Sequence, residues 1–144
     1  MNKFKAVLDF IGTCPLVGRD LYFNFVDATE SGGNTSLITN GYGEIVKKYV
    51  DGPKLKKMEF VVRQTMPLSR QSNTSENVEQ IQLVKNFLDW VNEQGKLKNF
   101  PDFGENCNIQ SVKTPEGVEY PMQTGLYEGT ALYSFPFEII YMER

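Results

Sequence analysis

The 144-residue chain contains no histidine, so it lacks the commonest general base and the commonest transition-metal ligand of proteins. Its two cysteines, Cys14 and Cys107, lie far apart and form neither a CxxC redox pair nor a cluster with the spacing of a zinc site. We expect them to be two reduced thiols of a cytoplasmic protein. No apolar run approaches the roughly 18 residues of a membrane span, and we expect neither a membrane segment nor a signal peptide.

A strong charge of one sign is also missing. The formal net charge is −3, and the densest basic stretch, residues 54–57, is too short for the basic face of a specific nucleic-acid-binding protein. The sequence has no P-loop and no GxSxG motif, and Gly41 and Gly43 are best interpreted as a plain turn. The 18 acidic residues are scattered over predicted turns and polar faces. The sequence therefore predicts no cofactor, no metal site and no catalytic residue.

Two helices are predicted from apolar residues at helical spacing. The first lies near the N-terminus and presents one apolar face, formed by Phe4, Val7, Leu8 and Ile11. The second is much longer and covers about residues 74–94, with Gly95 as its expected C-terminal stop. Its apolar stripe consists of Val78, Ile81, Val84, Leu88 and Val91.

Alternation of apolar and polar residues predicts several strands. In the stretch KKMEFVVRQT, Met58, Phe60 and Val62 share one side of the strand. The opposite side is a half-polar face, open to water or to a partner, which contains Glu59, Val61, Arg63 and Thr65. The segments NIQSV and VEYPM, joined by KTPEG, predict a hairpin.

The most strand-like segment is the last one, residues 131–144. Its large apolar side chains alternate along the chain: Tyr133, Phe135, Phe137, Ile139 and Tyr141. We expect this face to pack beneath the long helix at Ile81, Val84 and Leu88, and we expect Pro136 to protect a sheet edge.

The predicted elements occur in groups, with strands together rather than alternating one for one with helices. This order favours the α+β class, in which helices cover one face of a mostly antiparallel sheet. We predict one domain over residues 1–144, with the long helix and the short N-terminal helix packed on one face of that sheet.

Two polar loops are large for a domain of this size, and long loops are often functional. A Gly/Ser/Asn-rich loop spans residues 29–40, and a polar arm follows the strand that ends near residue 67. We expect these loops to contact neighbouring subunits. The candidate interface residues are Gly32, Gly33, Asn34, Pro67, Leu68, Ser69, Arg70 and Gln71.

The order of these segments resembles a known family. The segments are an N-terminal helix, LYFNFVDA, KKMEFVVRQTMPLS, NTSENVEQIQLVKNFLDWVNEQ and the terminal ALYSFPFEIIYMER. Together they are similar to the small tail-terminator or tail-completion proteins of tailed bacteriophages, including those of Gram-positive prophages often labelled minor capsid proteins. The resemblance covers nearly the whole chain and is most specific in the final strand and the long helix.

The resemblance implies a structural protein of the virion rather than an enzyme. Such subunits form a hexameric ring that caps the tail tube, stops its polymerisation and joins the tail to the head. The implied partners are other copies of the chain, the tail tube protein, head–tail connector or neck proteins and, in contractile tails, the sheath. Assembly would occur in the cytoplasm of the bacterial host, and DNA would pass through the ring without specific binding.

Two other interpretations remain open from the sequence. The chain could be a different virion joint, such as a neck protein or the tube subunit itself, because these share its small size and long loops. It could also be a small cytoplasmic enzyme or ligand-binding domain that uses carboxylates and tyrosines. That last interpretation predicts an apolar pocket containing an acid with a perturbed pKa.

Overall fold

The computed structural model describes residues 2–15, 21–23, 35–39, 44–48, 52–67, 74–127 and 130–144. These residues form two helices and seven strands. In chain order they are α1 (Lys3–Gly12), β1 (Leu21–Phe23), β2 (Thr35–Thr39), β3 (Glu44–Lys48), β4 (Lys54–Pro67), α2 (Thr74–Leu97), β5 (Cys107–Lys113), β6 (Met122–Tyr127) and β7 (Thr130–Glu143).

The sheet is organised around β4 and β7, its two longest strands. Both have 14 residues, and they pair antiparallel over their whole length, from Lys54 opposite Glu143 to Pro67 opposite Thr130. Strands β3 and β2 pair with successive parts of β4, and β5 and β6 pair with successive parts of β7. Only the short β1–β2 pair is parallel among the described strands, which confirms the predicted, mostly antiparallel sheet.

The inner face of this central pair forms the core. Successive side chains of a strand point to opposite faces, so the register places Phe60 beside Phe137 on one face. Their rings stack with centroids 5.4 Å apart, and both side chains are fully buried. The predicted alternation in both strands is thereby confirmed. The other inner-face residues of the pair include Met58, Val62, Phe135, Ile139 and Tyr141.

Both helices pack on this inner face, as predicted. The ring of Phe87 in α2 lies 5.6 Å from that of Phe135, and the ring of Phe4 in α1 lies 6.5 Å from that of Phe60. The helices also contact each other through Phe10 and Trp90, whose rings are 5.4 Å apart. The fold is therefore α+β, with helices covering one side of the sheet.

The buried stripe of α2 differs from the predicted one at its N-terminal end. Val78 and Ile81 are 59% and 37% exposed, so the expected packing of Ile81 on β7 is wrong. The helix is rotated so that Gln80 occupies the buried position one turn before Val84. The stripe then continues through Phe87, Leu88 and Val91, which keep the i, i+3, i+4 spacing of a single helical face.

Gly95 does not end α2, which is a second correction. The helix continues to Leu97 and closes with a Schellman motif, in which the N–H groups of Lys98 and Asn99 donate to the carbonyls of Gly95 and Gln94. Lys98 takes the left-handed conformation that a glycine usually adopts there, with φ of 60°. Gly95 is needed instead for close packing, because a Cβ at this position would lie 1.9 Å from the carbonyl oxygen of Val112.

Two strand predictions are also corrected. NIQSV forms β5, but it pairs with β7 rather than with VEYPM, and residues 118–120 form no strand. The predicted turn at KTPEG is confirmed, since the Val118 N–H donates to the Pro115 carbonyl and Gly117 has a φ of 88°. Pro136 is not at a sheet edge. It lies in central strand β7 opposite Val61, between the part that pairs with β5 and the part that pairs with β6.

Because α2 approaches β5 closely at Gly95, we expect an alanine at this position to destabilise the protein, although alanine favours helices. Gly95→Ala should lower the free energy of unfolding by about 1–3 kcal/mol, because the clash with backbone outweighs the higher helix propensity of alanine. Urea denaturation measures this change. Gly12→Ala is the matched control, because its Cβ would lie 3.7 Å from the nearest side-chain atom, and we expect a change within about 0.5 kcal/mol. A Gly95→Ala protein as stable as wild type would contradict the packing of α2 on β5.

Candidate functional site

The predicted interface residues fall mostly outside the described part of the chain. Residues 32–34 and 68–71 are not described, so the expectation that they contact neighbouring subunits stays a prediction. Pro67 is the last residue of β4 and lies opposite Thr130 in the register with β7. The candidate sites among the described residues therefore lie elsewhere in the fold.

Ionisable side chains meet where α1, β4, β5 and β7 come together. Glu143 near the end of β7 accepts hydrogen bonds from the ammonium groups of Lys3, at 2.8 Å, and Lys56, at 2.6 Å. The thiol of Cys107 lies 3.6 Å from the same carboxylate, and the Lys3 ammonium lies 5.5 Å from the centre of the Tyr141 ring. We call these five residues the Glu143 cluster.

The electrostatics of the Glu143 cluster are those of a structural ion pair. Hydrogen bonds from Lys3 and Lys56 lower the pKa of Glu143 to about 2, and the hydrogen bond to Glu143 raises the pKa of Lys3. Burial raises the pKa of Cys107, and burial also raises the pKa of Tyr141. These four shifts all favour the ordinary protonation state of the group at neutral pH.

These shifts decide what the cluster can do chemically. A nucleophilic cysteine or lysine requires a lowered pKa, so that the thiolate or free amine is available. Cys107 and Lys3 are shifted in the opposite direction. The cluster therefore connects the first helix to three strands and offers no activated nucleophile.

A different candidate is the outer face of the sheet, on the side opposite the two helices. Its charged residues include Glu59 and Glu138, which lie directly opposite each other on β4 and β7. Like charges in this position are destabilising unless other charges compensate them. The Lys57 ammonium lies 3.1 Å from the Glu59 carboxylate, and Lys113 of β5 is the register partner of Glu138.

Apolar residues surround these charges on the outer face. They are neither fully buried nor fully exposed, although neither α1 nor α2 packs on this side. These residues are Ile38, Leu55, Val61, Leu132, Pro136, Ile140 and Met142. The outer face therefore carries apolar side chains beside charges on a side of the sheet that neither helix covers.

Clefts lie beside both helices. A cleft of about 610 Å³ separates α1 from residues 99–102, with Phe10 and Phe100 among its lining residues. Its carboxylates already have partners: Asp9 pairs with Lys5 at 2.5 Å, and Asp102 accepts from the Gly104 N–H at 2.9 Å. A second cleft of about 940 Å³ lies between α2 and β5. Glu143, whose pKa is lowered, lines neither cleft.

In the ranges that the structure describes, no group of three or more cysteine, aspartate and glutamate side chains is placed to hold a metal ion. Within those same ranges, neither helix is both long and apolar enough to cross a membrane.

Comparison with known proteins gives no family assignment. No protein-family model matches the chain, and no curated protein shows significant similarity to it.

The sequence predicted the half-polar outer face of β4 but not the Glu143 cluster. Glu59, Val61 and Arg63 were predicted to share a half-polar strand face, and the register confirms it. The Glu143 cluster was missed, because Lys3 and Lys56 are 140 and 87 residues from Glu143 in the chain. The only sequence signal was an acidic residue at the end of an alternating strand, and this signal does not identify the partners of that residue.

The Glu143 cluster predicts a pH-dependent loss of stability. Because folding lowers the pKa of Glu143, its contribution is present above pH ~4.5 and is lost as the pH falls towards 2. Glu143→Gln should reduce the free energy of unfolding at pH 7 by about 1–2 kcal/mol, allowing for the solvent that reaches both lysines. Urea denaturation at pH 7 and pH 3 should show the difference from wild type shrinking at the lower pH.

An exposed ion pair on α2 is the control for this measurement. Asp89→Asn removes the partner of Lys85 in a surface pair, and we expect a change below about 0.5 kcal/mol at either pH. A Glu143→Gln protein that matches wild type at pH 7 would rule out a stabilising role for the cluster.

Proposed function

We propose that the protein is a structural subunit of a phage or phage-tail-like particle, and that it forms a ring, with six copies, that caps the tail tube and joins the tail to the head or neck. Its partners in this proposal are other copies of the chain, the tail tube protein and the connector or neck proteins, with the sheath added in contractile tails. Its location is then the virion.

One observation carries the proposal. The two described helices lie on one face of the sheet, while the other face combines half-buried apolar residues with charges in the register of the central strands. An element with two apolar faces is stable in water only when both are covered. The mixture of apolar and charged residues on the outer face is consistent with a subunit that contacts its neighbours through this face.

The chemistry of the ionisable groups supports a structural role. The side chains closest to forming a reactive cluster, Lys3 and Cys107, have raised pKa values and are tied to Glu143. The cluster fixes the first helix to the ends of β4, β5 and β7. A helix tied to the sheet in this way suits a subunit that contacts several partners through rigid surfaces better than one that turns over a substrate.

Electron microscopy tests the proposal directly. Purified protein, and tails assembled with it, should show a six-fold ring, and in particles the ring should occur once, at the head-proximal end of the tail. Many stacked rings would instead identify a tube subunit. A stable monomer that never joins particles would contradict the proposal.

A pair of variants tests whether the outer face makes the contact. Ile140→Lys places a charge on that face, so we expect a folded protein that fails to form rings. Leu97→Lys, at a 60% exposed position at the end of α2, is the matched control and should form rings normally. Ring formation by Ile140→Lys would exclude this part of the outer face from the interface.

A further inference from the structure

Charge distinguishes the edge strands of the sheet from one another. Among the described strands, β1, β3, β5 and β6 each pair with one other strand only. An unpaired strand edge can join a strand of another chain, and charged residues, lysine above all, are the usual protection against this. The sequence of β3 contains Glu44, Lys47 and Lys48, and that of β5 contains Lys113. The sequences of β1, LYF, and β6, MQTGLY, contain no charged residue.

The edge of β5 has further protection from α2. Directly after β5, the Thr114 N–H donates to the Asn92 side chain at 2.9 Å. The backbone of α2 lies against the strand itself, since a Cβ at Gly95 would be 1.9 Å from the Val112 carbonyl oxygen. A partner strand therefore has no free access to the C-terminal part of β5.

The beginning of β6, by contrast, is exposed to solvent. Its first residue, Met122, is 69% exposed, and Tyr120, just before the strand, is 67% exposed. Gln123 is exposed as well. Met122 lies opposite Ser134 in the register with β7, on the outer face of the sheet. The uncharged edge of β6 therefore continues the outer face that we propose as an interface, and it adds two large exposed side chains.

The two uncharged strands lie at opposite ends of one row of the sheet. Register pairs connect β1 to β6 through β2, β4 and β7, in the order Tyr22, Ser36, Arg63, Ser134 and Met122. Because β1 is parallel to β2 and every other pair in this row is antiparallel, β1 and β6 run in opposite directions. A neighbouring copy related by rotation about an axis along the strands would thus bring its β1 beside β6 as an antiparallel partner.

We infer that β6 of one copy pairs with β1 of the next copy, so that the row β1-β2-β4-β7-β6 continues from subunit to subunit. This inference rests on the proposed ring and specifies the strands that join its subunits. The contact is heterologous, because it uses the two different ends of the row, and head-to-tail contacts of this type close into rings. Closure leaves neither end of the row unpaired, which explains why these two strands lack protective charges.

A lysine on the edge of β6 tests this pairing. Gln123→Lys should raise the concentration at which rings appear in mass photometry at least about tenfold, because a charge on a strand edge opposes pairing with another strand. The melting temperature of the monomer should stay the same, because Gln123 is exposed. Gln110→Lys is the matched control, at an exposed position of β5, and should leave assembly unchanged. Unchanged assembly of Gln123→Lys, or equal weakening by both variants, would overturn the inference.

Cross-linking tests the identity of the partner strand. Tyr22 and Met122 occupy the two ends of the same register row, so paired strands would bring them opposite each other in adjacent copies. Opposed Cβ atoms of paired strands are about 4.5–5.5 Å apart, close to the separation that a disulfide requires. Rings of the double variant Tyr22→Cys and Met122→Cys, oxidised with diamide, should therefore give a ladder of covalent multimers on a non-reducing gel.

The controls for cross-linking use the same thiol chemistry at other positions. Wild type, which contains Cys14 and Cys107, should give no ladder, and neither should Tyr22→Cys combined with Gln110→Cys on β5. Rings of the Tyr22→Cys and Met122→Cys variant that give no ladder, or a ladder of equal strength from the β5 control, would overturn the assigned pairing.

The behaviour of the wild-type protein distinguishes this inference from the proposed function. Wild-type rings that are insensitive to Gln123→Lys would overturn the inference and leave the ring proposal intact. A wild-type protein that forms no rings, alone or in particles, would overturn the proposed function and the inference with it.

Discussion

The antiparallel pairing of β4 with β7 is the interaction on which the rest of the structure depends. Every other described strand joins the sheet through this pair, directly or, for β1, through β2. Its inner face supplies the stacked rings of Phe60 and Phe137, and the helices pack on this face through Phe4 against Phe60 and through Phe87 against Phe135. Its outer face supplies the row of charges and apolar residues that we propose as an interface. Because the side-chain period of a strand is two, a register slip of one residue would exchange these faces.

The same pair of strands explains how the first helix is secured to the sheet. Glu143 lies opposite Lys54 in the last pair of the ladder, and its carboxylate accepts hydrogen bonds from Lys56, two residues further along β4, and from Lys3 of α1. The ladder thereby brings a carboxylate to the point where α1 begins. Aromatic contacts of Phe4 and Phe10 complete the docking of that helix. The register of β4 with β7 thus sets both the position of the Glu143 carboxylate and the packing of the inner-face core.

Local patterns predicted much of this fold, and they failed where the answer depended on partners distant in sequence. Alternation in β4 and β7 identified both strands and their faces, because burial on one face imposes a period of two. A glycine near a helix end has the same local signal whether it caps the helix or, like Gly95, admits a neighbouring backbone. Nothing local distinguishes β5 pairing with β7 from the predicted hairpin with VEYPM. The same holds for Arg63, whose neighbours across the sheet, Ser36 and Ser134, are set by the pairing of β4 with β2 and β7.

Native-state hydrogen exchange is the measurement that tests this account most directly, because it reports the stability of each strand within the intact protein. We expect the amides in the β4–β7 ladder to exchange most slowly, at the rate set by global unfolding, while those of β3, β5 and β6 exchange through smaller openings. Amides of β7 that exchange as fast as those of β6 would contradict the central place given to the pair, and with it the assignment of the two sheet faces.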